Sequence, residues 1–428
     1  MRNTIALKQN KWPAFTKKDK KKRTILIPNL SPEFAKIVQV SIEAYGCKTQ
    51  PVEMANQEAL DIGKKYVHND ICFPAQINIG ELIYALNKGE HKRDEVAIAI
   101  AKNCNACRAL QYYALARNTL DQCGYTDVPI ITSGKDQIGM HPGLNLTGLT
   151  FQLKTMQGVL FVDAINFMRN RLIPYEVNKG ECERLHDEFV DKGLNALRKN
   201  YRRSLRVLKE AVEAFNKVKI NTETRKPRVM VIGEILVNFH PSSNHKIVQY
   251  LLDNGMEVVL PPLVESFRQD VFNQREQADR RLSKYPWLDK LGSRVSGLVY
   301  TFHMKPLEKI MSNFKFYEKH EAIETIAGYA EGVIDRSFSS GEGWVIPGEI
   351  TSMAKKGVES FIIVQPFGCL PNHITGRGSI KVLKERFPNI QIISLDYDPD
   401  ISIGNIENRL QMLILGAKEK ARKTKKKQ

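Results

Sequence analysis

Along the chain, short apolar runs alternate with longer stretches whose apolar residues recur every three or four positions. "TILIPNL" is an apolar run bounded by Pro and Asn and predicts a strand. In "SPEFAKIVQVSIEAYG", Phe34, Ile37, Val38, Ile42 and Tyr45 fall on one helical face. Ser31 is the expected N-cap, Pro32 fits the first turn and Gly46 ends the helix. "CKTQPVEM" predicts the next strand, "CFPAQINIGELIYALNKG" a helix from about Pro74, and "EVAIAIA" a buried strand. A helix over about 107–122 and the strand "VPIITS" follow. Such alternation predicts a parallel sheet covered by helices on both faces.

Residues 180–218 have helical periodicity without an internal proline and predict a long helical bridge. "KPRVMVIGEILVNFHPSSNHKIVQYLLDNGMEVVLPP" then restarts the strand and helix pattern, which closes with "SFIIVQPFGCLPNH", a helix around 380–387 and the strand "IQIISLDYD". The expected fold is α/β: two parallel-sheet, Rossmann- or flavodoxin-like lobes joined by a helical segment, with a site in the crevice between them. The expected division is a basic N-terminal arm (1–23), a first α/β lobe (24–150), a helical bridging segment (151–225), a second α/β lobe (226–415) and a basic C-terminal tail (416–428).

Composition changes this picture little. The 428 residues are 42% hydrophobic and 26% charged, which is ordinary for globular chains and enough for more than one core. Net charge is +17, and much of it lies in the lysine-rich stretches 17–23 and 418–427. Like charges so blocked predict solvated ends; no aromatic platform accompanies them, so nucleic acid is not the expected partner. The first residues lack the apolar core of a signal peptide, and no apolar run nears the roughly 18 residues of a membrane span. The expectation is a cytoplasmic protein with no membrane partner.

Candidate chemistry centres on cysteine. There are seven, an odd number scattered through a long chain, which argues against a disulfide framework. Cys72, Cys107 and Cys369 each stand at a predicted helix start, and the latter two follow predicted strands. Loops leaving the carboxyl ends of parallel strands form the binding crevice, and helix N-termini there stabilise thiolates. Each alone reads as a small buried side chain; together they suit a metal or an iron–sulfur cluster. Structural zinc would want four compact ligands, and only the pair Cys104 and Cys107 in "CNAC" is so spaced. That pair also reads as a redox dithiol. Cys47, Cys123 and Cys182 read as packing residues.

"YVHNDICFPAQINIGELIYAL", "CRALQYYALARNTLDQCGYTDVPIIT", "GEILVNFHPSSNHKIV" and "VQPFGCLPNHITGRGSIKVLKERFPNIQIISLDYDPD" together resemble the 2-hydroxyacyl-CoA dehydratase family, in the branch associated with acyl-CoA dehydratase activases. The likeness runs over about 24–415. It implies an oxygen-sensitive lyase whose three cysteines, here Cys72, Cys107 and Cys369, hold a [4Fe-4S] cluster, a double-cubane cluster being found in relatives. It also implies an ATP-hydrolysing activase that delivers one electron, an acyl-CoA substrate, and a second subunit or a homodimer. The expected reaction is radical dehydration of a 2-hydroxyacyl-CoA, through a ketyl radical, to the 2-enoyl-CoA. The alternative is a cluster-bearing electron-transfer partner or double-cubane reductase-like protein without dehydratase activity.

Cys104 matches no family cysteine and stands as a neighbour, a substitute ligand or an extra ligand. Asp400 also departs from the pattern, where a glycine is expected. The proton transfers need an acid or base. Glu234, His240 and His373 are the candidates, each otherwise a turn residue satisfied by backbone; Glu342 and Trp344 share that ambiguity. Gly376 and Gly378 in "ITGRGS" are candidates for backbone contact with a CoA phosphate, or simply form a helix-entry loop.

Overall fold

A computed structural model describes residues 12–102, 107–134, 139–223 and 225–425. It is α/β, with two four-stranded, all-parallel sheets. After the short helix α1 (Asp19–Lys22), the first lobe runs β1 (Thr24–Ile27), α2 (Pro32–Glu43), β2 (Lys48–Pro51), α3 (Gln57–Tyr66), α4 (Phe73–Asn87), β3 (Val96–Ile100), α5 (Tyr112–Gln122) and β4 (Ile130–Thr132). The bridge holds α6 (Leu149–Leu172), α7 (Glu181–Lys199) and α8 (Tyr201–Phe215). The second lobe runs β5 (Arg228–Gly233), α9 (Ile235–Phe239), α10 (Ile247–Asp253) and β6 (Glu257–Val259). Four helices then intervene: α11 (Val264–Asp279), α12 (Pro286–Met311), α13 (Ile323–Ala330) and α14 (Val345–Lys355). β7 (Ser360–Pro366), α15 (Leu370–Thr375), α16 (Ile380–Arg386), β8 (Gln391–Tyr397) and α17 (Ile403–Lys425) complete it.

Strand orders are β2-β1-β3-β4 and β6-β5-β7-β8. In each sheet the chain's direction of progress reverses between the two central strands, β1 and β3 or β5 and β7. Ligands of open parallel sheets bind outside the carboxyl ends at such switch points. Cys107 follows β3, Glu234 follows β5 and Cys369 follows β7, so the topology brings three of the predicted residues to switch-point loops.

Local signals hold where the chemistry is local. Ser31 accepts the Phe34 N–H and Pro32 opens α2. The predicted long helix of the bridge instead breaks at Asn200. This residue is extended (φ −169°, ψ 161°) and its side chain accepts the Arg203 N–H, capping α8. Asparagine competes with the helix for backbone hydrogen bonds, which explains a break without proline. The helical stretch α11–α14 was not foreseen.

The basic N-terminal stretch does not run free over its described part. Phe15 is fully buried beside Ile25 and Ala97, and Arg23 donates to the Val96 carbonyl. At the other end α17 continues to Lys425, and Ala417 is buried. Among the described residues no helix is long and apolar enough to cross a membrane.

The lobes share one core. Ala55, Ala59, Phe73 and Ile77 of the first lobe pack with Val231, Leu236, Val237 and Tyr397 of the second. A buried polar joint accompanies it: Glu81 of α4 accepts N–H groups from Asn29 and Ala55 and lies 3.0 Å from His240 Nε2, beyond α9. Lys64 and Asp400 add a surface ion pair at 2.5 Å, which gives Asp400 a partner in the opposite lobe.

Candidate functional site

The three candidate thiols stand in loops at helix starts. Cys72 N-caps α4, with Phe73 and Pro74 opening the helix. Cys107 N-caps a 3₁₀ turn over Arg108–Gln111 that leads into α5, and Cys369 N-caps α15, with Pro371 in its first turn. All three thiols are partly exposed. Each sulfur is hydrogen-bonded: Tyr112 Oη donates to Cys72 at 3.0 Å, the Ala109 N–H to Cys107 at 3.4 Å, and Asn372 Nδ2 to Cys369 at 3.4 Å.

Through-space electrostatics link the three. Burial pushes the Cys72 thiol up to about 12, and the Glu234 carboxylate of the opposite lobe adds to the rise. Burial likewise pushes Cys369 up to about 12, with Glu342 and then Glu234 contributing. Tyr112 is raised well above its ordinary range by burial, next by Cys72 and Glu234, and also by Cys107. Glu234 is therefore within electrostatic range of Cys72 and Cys369, and Tyr112, bonded to Cys72, is within that of Cys107. Without a metal the two raised thiols stay protonated, so a bound metal must displace those protons.

Whether the donor set suits a cluster turns on this arrangement. Thiols on three separate helix-entry loops, each with a hydrogen bond to sulfur, are the ligand type and tuning expected of an iron–sulfur group. Among the described residues the three do not form a group whose ligand atoms all lie within 4.8 Å, the spacing for one ion. Cys104 lies outside the described residues.

The acid–base candidates separate. Glu234 is half-buried, N-caps α9 by accepting the Val237 N–H at 2.9 Å, and follows Gly233. A Cβ at Gly233 would sit 1.8 Å from the Val364 carbonyl oxygen, so only glycine permits β5 to lie this close to β7 just before the turn. His373 is half-buried, its Nδ1 2.9 Å from the Cys369 carbonyl oxygen. The same Nδ1 lies 3.2 Å from Gln365 Nε2; with the proton on Nδ1 toward the carbonyl, Nε2 is the acceptor.

His240 is 0% exposed, its Nδ1 accepting the Ser243 N–H and its Nε2 directed at Glu81. It belongs to the joint between the lobes, behind the crevice. Glu342 accepts from Ile235 N and from Asn372 Nδ2, tying the Cys369 loop to α9. Trp344 is fully buried and donates to Asn273. Gly376 donates its N–H to the Asn372 carbonyl, and a Cβ there would meet that oxygen at 2.7 Å. Its glycine is explained by packing, and its N–H is engaged within the loop. Gly378 is exposed, beside the His373 carbonyl.

Sequence reasoning missed Tyr112 and Asn372, which bond the sulfurs, and Glu81. A lone carboxylate in the apolar helix "INIGELIYAL" was the available signal for Glu81, since buried charges require partners. It also missed a second polar group, in the helical stretch of the second lobe. Glu265, His320 and Glu349 bring potential ligand atoms within 4.8 Å of one another. They line a cavity of about 160 Å³ that also touches Asp163, Phe167 and Met304. Burial raises Glu265 to about 7 and Glu349 well above its ordinary range, and lowers His320 to about 3. This cavity includes none of the three candidate thiols.

No family model matches this chain, and no curated protein matches it.

Proposed function

We propose that this chain is an oxygen-sensitive iron–sulfur lyase of the 2-hydroxyacyl-CoA dehydratase kind, supplied with one electron by an ATP-hydrolysing activase. The observation that carries the reading is the joint environment of the thiols: Cys72 and Cys369, from opposite lobes, both feel Glu234, and Tyr112, which donates to Cys72, also feels Cys107. Cys72, Cys107 and Cys369 would hold a [4Fe-4S] cluster, which when bound supplies a low-potential electron and an iron open to a substrate oxygen. Tyr112 and Asn372 orient their sulfurs and tune the group by hydrogen bonding.

Glu234 is the residue suited to move the substrate proton, being half-buried and within electrostatic range of two of the thiols. His373 is the second, with Nε2 as its acceptor. His240 acts from behind, as a positioning residue that locks α9 to the first lobe through Glu81. The activase, the acyl-CoA and a second subunit belong to this proposal.

The test is activase-dependent turnover of the anaerobically purified full chain with lactoyl-CoA and 2-hydroxyglutaryl-CoA as probes. Enoyl-CoA formation that requires both ATP and activase is the expected result. Glu234→Gln keeps the N-cap acceptor and is expected to lower kcat about 10²–10⁴-fold with iron content unchanged. An iron-loaded chain that binds activase but turns over neither thioester would favour the electron-transfer partner.

A further inference from the structure

The helical stretch between β6 and β7 holds an arrangement that the thiol chemistry does not use. Glu265 stands in the first turn of α11, His320 in the segment before α13, and Glu349 in α14, every residue of which from Val345 to Met353 is buried. Glu265 is 4% and Glu349 1% exposed. Arg268 Nη1 pairs with Glu265 Oε1 at 2.5 Å and leaves Oε2 over. Among the described residues, Glu265 Oε2, both Glu349 oxygens and both His320 ring nitrogens have no hydrogen-bond partner. His320 Nε2 lies 3.1 Å from Glu349 Oε1 but is not aligned to bond it.

Buried polar groups are almost always satisfied, and unpaired ones in native proteins commonly mark the place of a water or an ion. Five unpaired atoms on three residues whose ligand atoms come within 4.8 Å of one another, on elements distant in sequence, exceed what one shared proton between Glu349 and His320 could satisfy. We propose that Glu265, His320 and Glu349 bind a divalent first-row transition ion of the zinc or manganese type, separate from the thiol crevice. Two carboxylates and one imidazole are the oxygen and nitrogen donors such ions take. They include no soft sulfur, which sets this site apart from the cysteines. Three protein ligands leave further coordination positions, and because all three residues line one cavity, a water or a small anionic ligand entering there can fill them. The Arg268 guanidinium, held on Glu265 Oε1, fixes that carboxylate beside His320, whose Nε2 lies 3.9 Å from the same oxygen.

The experiment uses the full chain with Cys72, Cys107 and Cys369 all changed to Ser, stripped with chelator and equilibrated with Zn²⁺ or Mn²⁺. One equivalent of ion per chain is expected, with affinity at least about tenfold weaker in Glu349→Gln and in Glu265→Gln made on that background. Co²⁺ added to the same triple-Ser chain gives visible ligand-field bands without a thiolate charge-transfer band, which separates the glutamates and His320 from the four cysteines that remain. Absence of Co²⁺ and Zn²⁺ binding by the folded triple-Ser chain, or binding unaltered by both glutamate variants, overturns the site. The lyase reading stands or falls separately, because its iron and sulfide are measured on the chain with its cysteines intact.

Discussion

Glu81 and His240 show how a residue's role follows from its partners. Glu81 gathers N–H groups from Asn29 and Ala55 as well as facing His240, and both side chains are wholly buried. Removing His240 leaves the carboxylate with its other donors, whereas removing Glu81 orphans all of them. Each unsatisfied buried group costs about 1–3 kcal/mol. Urea denaturation is therefore expected to find His240→Ala destabilised by about 1–3 kcal/mol and Glu81→Ala by more. Equal losses, or a smaller loss for Glu81→Ala, would remove the joint from the account. The cysteines were legible from sequence because each precedes or follows a recognisable helix start. Tyr112 and Asn372 were not, because the sulfurs they serve are identified only once distant loops meet.

At the scale of elements, the sequence was informative wherever the signal was short in range. The apolar runs of β3 and β7 are buried from end to end, and the Ser31 cap could be read directly. The break at Asn200 and the helices α11–α14 were not read. A capping asparagine inside a continuous apolar period gives no pattern change, and α12 turns Leu288, Leu291, Val295, Leu298 and Phe302 outward, so its apolar face does not report a core. Glu265, His320 and Glu349 were lost with that stretch, since 84 residues separate the first from the last. The approach of β5 to β7 gives a prediction at this scale. Gly233→Ala puts a methyl into the Val364 carbonyl and is expected to cost about 1–3 kcal/mol, read as a lower urea midpoint. An unchanged midpoint would show that the strand pair yields freely.

Across the whole molecule, the two sheets act as one body because first-lobe helices enter the second-lobe core. The relation between the lobes is therefore set by packing. The N-terminal stretch belongs to this body through His141, whose Nδ1 accepts the Phe15 N–H at 3.0 Å. Burial holds the His141 pKa below its ordinary value, so the fold favours the neutral ring. Its stabilising contribution is complete above the ordinary histidine value of about 6.5 and is lost as pH falls below it through the folded value. Between pH 7.5 and pH 5.5 the native chain is expected to lose more stability than His141→Gln, measured by urea midpoints. An equal loss would contradict this anchoring.

The central claim is that three thiols remote in sequence hold one iron–sulfur group. Its most direct measurement is iron and acid-labile sulfide per chain after oxygen-free purification, for the native protein and for Cys72→Ala, Cys107→Ala and Cys369→Ala. Sulfide separates a cluster from iron that settles on the glutamates and His320. The account predicts about four of each per native chain for a single cubane, with both falling together in every variant. Iron without sulfide, or iron and sulfide that survive all three substitutions, would contradict it.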